Sequence, residues 1–269
     1  MDRSIHSLRR KKLRGESIVS LTAYDFMTAR LEEKAGIDFI LVGDSMEMAV
    51  FGEETTLTAD LDVMLAHTRA VRRGAPNTLV VGDMPFGSYE CSDSQAVMNA
   101  VRFLSEGGAD AVKLEGGNSR ILSRVRAILD SGIPVMGHVG LLPQSIRKTG
   151  GYRVVYGKMK EQLFDEALSL QEAGVFSIVL EGVEEKLARG LTKELEVPTI
   201  GIGAGRYTDG QILVVNDMLG MSGEFKPKFI KEYARVDSVI AKALESYVRE
   251  VRDGEFPEEG HAYHSREEK

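Results

Sequence analysis

Polar residues close a series of short apolar runs: Asp44 ends "FILVGD", Asp83 ends "TLVVGD", Lys113 and Glu115 end "ADAVKLE", His138 follows "IPVMG" and Glu181 ends "FSIVLE". One Gly-Asp pair is ordinary turn chemistry, but the same construction at Asp44 and at Asp83 points to a plan. Side chains alternate along a strand, so Lys113 and Glu115 share one face while Val112 and Leu114 share the other. A charged pair on a buried face needs partners. A structural ion pair is one way to meet that need; convergence of further charges on the same rim is the other, and the repeated pattern favours it. Brought together, Asp44, Asp83 and Glu115 would repel one another without a cation. Oxygen donors with few nitrogen or sulfur neighbours suit Mg²⁺ or Mn²⁺. Such an ion can hold a 2-oxo acid through its carboxylate and keto oxygens and act as a Lewis acid on the enolate left by proton loss. That chemistry also needs a base.

Other residues carry competing readings. His138 is a candidate substrate contact or a packed core histidine, and His67, on a helical segment, is expected to be structural. "GIGAG", Gly201–Gly205, lacks the G-x-G-x-x-G spacing because Arg206 takes the last position, so close backbone approach in a turn is the expectation. Asp217 reads as a rim or cap residue.

The elements that must position these groups recur. Apolar runs begin at Ser17, Asp38, Thr78, Ala109, Ile133, Phe176, Val197 and Ile212. Helical segments alternate with them, around Leu61–Arg73, Ser94–Glu106, Arg120–Leu129, Lys160–Ala173 and Val183–Leu195. Several stop at a glycine, as in "SEGGAD", "DSGIP" and "QEAGVF". Eight such units predict one closed (β/α)₈ TIM barrel spanning residues 1–269, with a doubly wound open sheet as the alternative. Residues 1–16 are expected to form an N-terminal helix with a solvated cationic face, and 254–269 an irregular polar tail. In a barrel the polar run ends gather at the mouth, where catalytic groups sit.

The 269 residues are 43% hydrophobic and 28% charged, with net charge −7, which fits a globular protein and argues against nucleic-acid or anionic-membrane partners. A single cysteine, Cys91, excludes an intrachain disulfide and a cysteine-based metal site. No apolar run is long enough to span a bilayer.

The segments "LVGDSMEM", "DMPFGSY", "VKLEGG", "GHVGLLPQS", "GGYRV", "IVLEGV", "PTIGIGAG" and "PKFIKEY", in this order and spacing, resemble the ketopantoate hydroxymethyltransferase family over nearly the whole chain. The resemblance implies a barrel of the phosphoenolpyruvate/pyruvate type, a cytoplasmic location and a homo-oligomer, typically a decamer. It implies one Mg²⁺ per subunit and transfer of a one-carbon unit from 5,10-methylenetetrahydrofolate to 3-methyl-2-oxobutanoate, the first committed step toward pantothenate and coenzyme A. Carried over by position, Asp44, Asp83 and Glu115 form the metal site, Glu115 through water. Asp44, Ser45, Asp83 and Lys113 contact the oxo acid, and Glu181 is the proton acceptor. The chain departs from the family pattern at Glu47 and over Gly182–Lys186. Two other readings compete: a Mg²⁺-dependent lyase or mutase of the phosphoenolpyruvate mutase/isocitrate lyase type, many of which use a loop cysteine that Cys91 does not match, and a non-catalytic binding barrel.

Overall fold

The computed structural model describes residues 3–145, 147, 154–222 and 227–264. Most of the "GGYRV" segment and the last residues of the tail therefore lie outside the described residues. Two compact units are present, Met1–Val215 with Pro227–Ile230, and Asn216–Lys226 with Lys231–Lys269.

The first unit is the expected barrel. Strands β1 (Ile18–Thr22), β2 (Phe39–Val42), β3 (Leu79–Asp83), β4 (Ala111–Lys113), β5 (Val135–Gly140), β6 (Ser177–Glu181), β7 (Thr199–Ile202) and β8 (Gly210–Leu213) close in sequence order. Every pairing is parallel, and β8 returns to β1 through the register Ile18↔Gly210. Helices Phe26–Ala35, Leu61–Gly74, Asp93–Ser105, Ser119–Asp130, Lys160–Ala173 and Glu185–Glu194 follow β1 and β2 through β6. Their starts are written locally: Asp25, Asp60, Ser92 and Asn118 each accept backbone N–H groups of the first turn. Gly174, at φ 105°, ends the helix Lys160–Ala173 in the left-handed conformation that glycine adopts without strain. Seven strands begin one or two residues inside their expected runs, and the eighth begins ahead of its run. β8 begins at Gly210 rather than Ile212, and Asp217 lies in the short helix Val215–Met218, where it accepts from Ser222.

The barrel interior is apolar through its lower layers, where Ile18, Phe39, Leu41, Leu79, Val81, Ala111, Met136, Val179, Ile200 and Ile212 form one cluster. Helix α1 (Ile5–Arg14) adds Leu8, fully buried, to that cluster. The cationic face of this helix is less solvated than its sequence predicts. Lys11 pairs with Asp38 at 2.7 Å and Lys12 with Asp209 at 2.8 Å, while Arg3, just before the helix, meets Asp110 at 2.6 Å. Those acids stand immediately before β2, β8 and β4, so the charges meet at the N-terminal rim.

The second unit contains the helix Val236–Asp253, none of whose residues is buried, and which exposes Val239, Ile240, Leu244, Tyr247, Val248 and Val251.

Candidate active site

The inward stripe of each strand changes character over its last step. Two residues beyond Val81, Ala111, Met136 and Val179 come Asp83, Lys113, His138 and Glu181. Strand alternation therefore aims all four into the barrel at its C-terminal mouth. Glu115, two residues past Lys113, continues the same direction.

Lys113 is the hub. Its ammonium donates to both oxygens of Asp83, at 2.7 and 2.8 Å, and stands 3.9 Å from Glu115. His138 links the next two acids, with Nδ1 3.5 Å from Glu115 and Nε2 3.4 Å from Glu181. Neither ring nitrogen makes a well-formed hydrogen bond, so this histidine acts on the acids by proximity. Asp44 follows β2, and its backbone N–H donates to Asp83 at 3.4 Å. Gly43 leaves room for the Ser45 side chain, since a Cβ there would lie 2.8 Å from the Ser45 hydroxyl. Ser45 in turn shares a 2.9 Å hydrogen bond with Tyr24.

Four carboxylates, Asp44, Asp83, Glu115 and Glu181, thus surround one lysine and one histidine, and the excess of negative charge shows in the ionisation of the acids. Burial raises Asp44 well above the ordinary carboxylate range, and repulsion from Asp83 and Glu115 adds to it. Burial likewise raises Asp83, against the pull of Lys113. Glu115 goes the other way: burial pushes it up, but His138 and Lys113 hold it below its usual value. Lys113 loses proton affinity to burial but regains more from Asp83, Glu115 and Asp44, so it stays charged. Glu181 keeps 20% of its side chain exposed, the most open of the four, and burial of the remainder with repulsion from Glu115 raises it to about 8.

Surplus negative charge carried by oxygen donors fits a hard divalent cation. Among the described residues, no three His, Cys, Asp or Glu side chains are arranged to hold an ion as they stand.

Sequence reasoning located Asp44, Ser45, Asp83, Lys113, Glu115, His138 and Glu181, and the structure brings these together. It missed Gln144 and Tyr89. The Gln144 side chain donates to Asp44 at 2.9 Å, its backbone N–H donates to Glu115 at 3.1 Å, and the Tyr89 hydroxyl donates to the Gln144 amide oxygen at 2.6 Å. Both sit in loops, where no periodicity marks an inward residue. His67 is structural as expected, with Nδ1 2.5 Å from the Tyr24 carbonyl. The glycines of "GIGAG" serve close approach, since a Cβ on Gly205 would lie 2.4 Å from Glu185 Cγ.

Fold and site together define a (β/α)₈ barrel with an acidic mouth built around one lysine. Among solved structures, the chain is similar to phosphonopyruvate hydrolase in complex with oxalate and Mg⁺⁺ (TM-score 0.63, 14% identity, 98% of this chain and 92% of that one). It is also similar to 2,3-dimethylmalate lyase, a PEP mutase/isocitrate lyase superfamily member (TM-score 0.61, 19% identity, 97% and 92%). At these identities the likeness speaks for the fold alone.

Residues 2–259 match the family model of ketopantoate hydroxymethyltransferase, and the chain belongs to that family. Its relatives include the 3-methyl-2-oxobutanoate hydroxymethyltransferases of Clostridium beijerinckii, 49% identical over 98% of this chain and 96% of that protein, and of Geobacter sulfurreducens, 50% identical over 97% and 98%.

Proposed function

We propose that this protein transfers a hydroxymethyl group from 5,10-methylenetetrahydrofolate to 3-methyl-2-oxobutanoate, giving 2-dehydropantoate and tetrahydrofolate with uptake of one water. The observation that carries this reading is Glu181 at the barrel mouth, raised to about 8 and joined through His138 to the Asp44–Asp83–Lys113–Glu115 cluster. The names of the full-length relatives support it. They favour it over the lyase or mutase and over a non-catalytic barrel.

Asp44 and Asp83, with Glu115 through water, would hold one Mg²⁺ per subunit. That ion supplies a Lewis acid at the keto oxygen of the bound oxo acid. The protonated Lys113 and the Ser45 hydroxyl orient the oxo acid, with Asp44, Asp83 and His138 completing its surroundings. Water cleaves both C–N bonds of the folate's methylene group, which leaves as formaldehyde with tetrahydrofolate as the other product; Glu181 removes the proton from C3, the C3 carbon adds to the formaldehyde carbon, and the resulting alkoxide takes up a proton to become the hydroxymethyl group. A carboxylate whose proton affinity has been raised toward neutrality is a stronger base than one in water, and a positioned base contributes roughly 10²–10⁴-fold.

Glu181→Gln should slow C3–H exchange of 3-methyl-2-oxobutanoate in D₂O, and product formation, by at least about a hundredfold, with little change in oxo-acid binding. The acidic limb of the pH profile should vanish with it, because a base is active only above its pKa. Exchange within a few-fold of wild type would show that Glu181 is not the base.

The enzyme is further proposed to work in the cytoplasm as a homo-oligomer, a decamer by family resemblance. Among the described residues no helix is long and apolar enough to cross a membrane. The helix Val236–Asp253 carries an exposed apolar stripe of the kind subunit contacts cover. Light scattering should give a mass several times that of the 29.6 kDa chain; a monomer at micromolar concentration would refute the assembly. Cell fractionation checks the location.

A further inference from the structure

Gln144, in the turn Pro143–Ser145 that follows β5, is only 7% exposed and has every polar group of its side chain engaged. Its Nε2 donates to Asp44 Oδ2 at 2.9 Å and to the Met84 carbonyl at 3.1 Å, and its Oε1 accepts from the Tyr89 hydroxyl at 2.6 Å. The direction of this amide is dictated by its neighbours. A carboxylate and a carbonyl can only accept, so the NH₂ group must face them and the carbonyl oxygen must face Tyr89. Tyr89 is itself 2% exposed, and its oxygen accepts from the Glu115 backbone N–H at 3.4 Å while its own hydrogen points at Gln144. The Gln144 backbone N–H reaches Glu115 Oε2 at 3.1 Å. One residue therefore holds an oxygen of the acid beyond β2 and an oxygen of the acid beyond β4. On Asp44 the latch engages one oxygen, Oδ2.

We propose that Gln144, held in its orientation by Tyr89, is a positioning residue that fixes Asp44 and Glu115 for divalent-cation binding. Tyr89 acts only through Gln144. The inference rests on the cation site proposed above. Outer partners of metal-binding carboxylates are worth 10–100-fold in affinity when removed. Gln144→Met keeps the length of the side chain but removes its donors, and should weaken Mn²⁺ binding to the full-length, chelator-stripped protein by about 10–100-fold. Tyr89→Phe removes the hydroxyl that fixes the amide and should weaken it several-fold. In the double variant the losses should not multiply: affinity should match that of Gln144→Met alone, because Tyr89 has nothing left to orient.

Titration with Mn²⁺, reading the electron paramagnetic resonance signal of the free ion, measures all four proteins. Circular dichroism confirms that each is folded, and Tyr89→Phe carries the test if Gln144→Met is not. Wild type that takes up no Mn²⁺ would overturn the cation site and this inference with it. Wild type that binds, with folded variants within twofold of it, would overturn the positioning role and leave the cation site standing. Losses that multiply in the double variant would overturn the dependence of Tyr89 on Gln144.

Discussion

The barrel carries acids at both ends of its strands, and the two ends treat them in opposite ways. At the N-terminal rim Asp38, Asp110 and Asp209 stand one residue before β2, β4 and β8. Each accepts a backbone N–H from the neighbouring strand, of Val19 at 2.9 Å, Val80 at 2.9 Å and Thr199 at 2.8 Å respectively. Each also has its own cation from the first residues of the chain, Lys11, Arg3 or Lys12. At the C-terminal mouth four acids share one lysine, and Asp44, Asp83 and Glu181 hold protons more tightly than free carboxylates do. Acids each supplied with a donor and at least one cation, as Asp110 is by both Arg3 and Arg72, hold a structure together. Acids left in surplus weaken it and are useful only to something that arrives later.

The sharpest way to break this comparison is at Asp44. Asp44→Ala should reduce product formation by about 10³-fold or more, since the Lewis acid it is proposed to help hold would be worth several kcal/mol. The metal-free protein should be no less stable than wild type. The sign follows from the raised pKa: the folded state resists ionising Asp44, so the charge costs stability at neutral pH, and its removal relieves that strain. Activity assays beside thermal melts in chelator decide it; a large drop in melting temperature would erase the distinction between the two ends.

The mirror experiment is Asp209→Ala. It strands Lys12 and the Thr199 N–H and should lower stability by roughly 2–4 kcal/mol, while kcat per folded molecule stays unchanged. Urea denaturation and active-site titration together check this.

A third region sharpens the contrast. Glu32, on the helix Phe26–Ala35, is 5% exposed, and neither carboxylate oxygen has a hydrogen-bond partner. Burial, helped by Asp25, raises it to about 8 from 4.5. An acid raised in the folded state contributes nothing adverse below its unfolded value and becomes a growing penalty as pH climbs to the folded value. Glu32→Met should therefore match wild type in stability near pH 4.5 and exceed it near pH 8, by roughly 1–3 kcal/mol. A pH-independent difference would show that Glu32 does not titrate in this way.

Much of this was legible in the sequence because strand alternation is rigid. The reading of "AVKLEGG" placed Lys113 and Glu115 inward, and the repeated "VGD" placed Asp44 and Asp83 at strand ends. Helix Lys160–Ala173 was read to the residue, since Gly174 marks its stop. The β8 register was not legible, because the apolar run "ILVV" spills past the strand into the short helix that follows. The acids before the strands are not legible, because an Asp at the start of an apolar run looks like any turn residue until the neighbouring strand's N–H is seen beside it. Gln144 and Tyr89 were invisible for a related reason: their roles depend on where two loops meet across the mouth, and no local pattern encodes that meeting.

Leu8, buried beneath the barrel and surrounded by the lower apolar layer, closes the far end of the fold. The mouth is then both entrance and exit. If the proposed reaction takes place here, an oxo acid seated among Asp83 and Lys113 would lie at the bottom of a blind well, and the much larger folate would enter above it. Traffic through a single doorway is a stack: the first molecule in is the last able to leave. Under the proposed reaction, spent tetrahydrofolate would have to depart before 2-dehydropantoate could, and the order of events in turnover would be set by the stopper at the opposite end of the barrel.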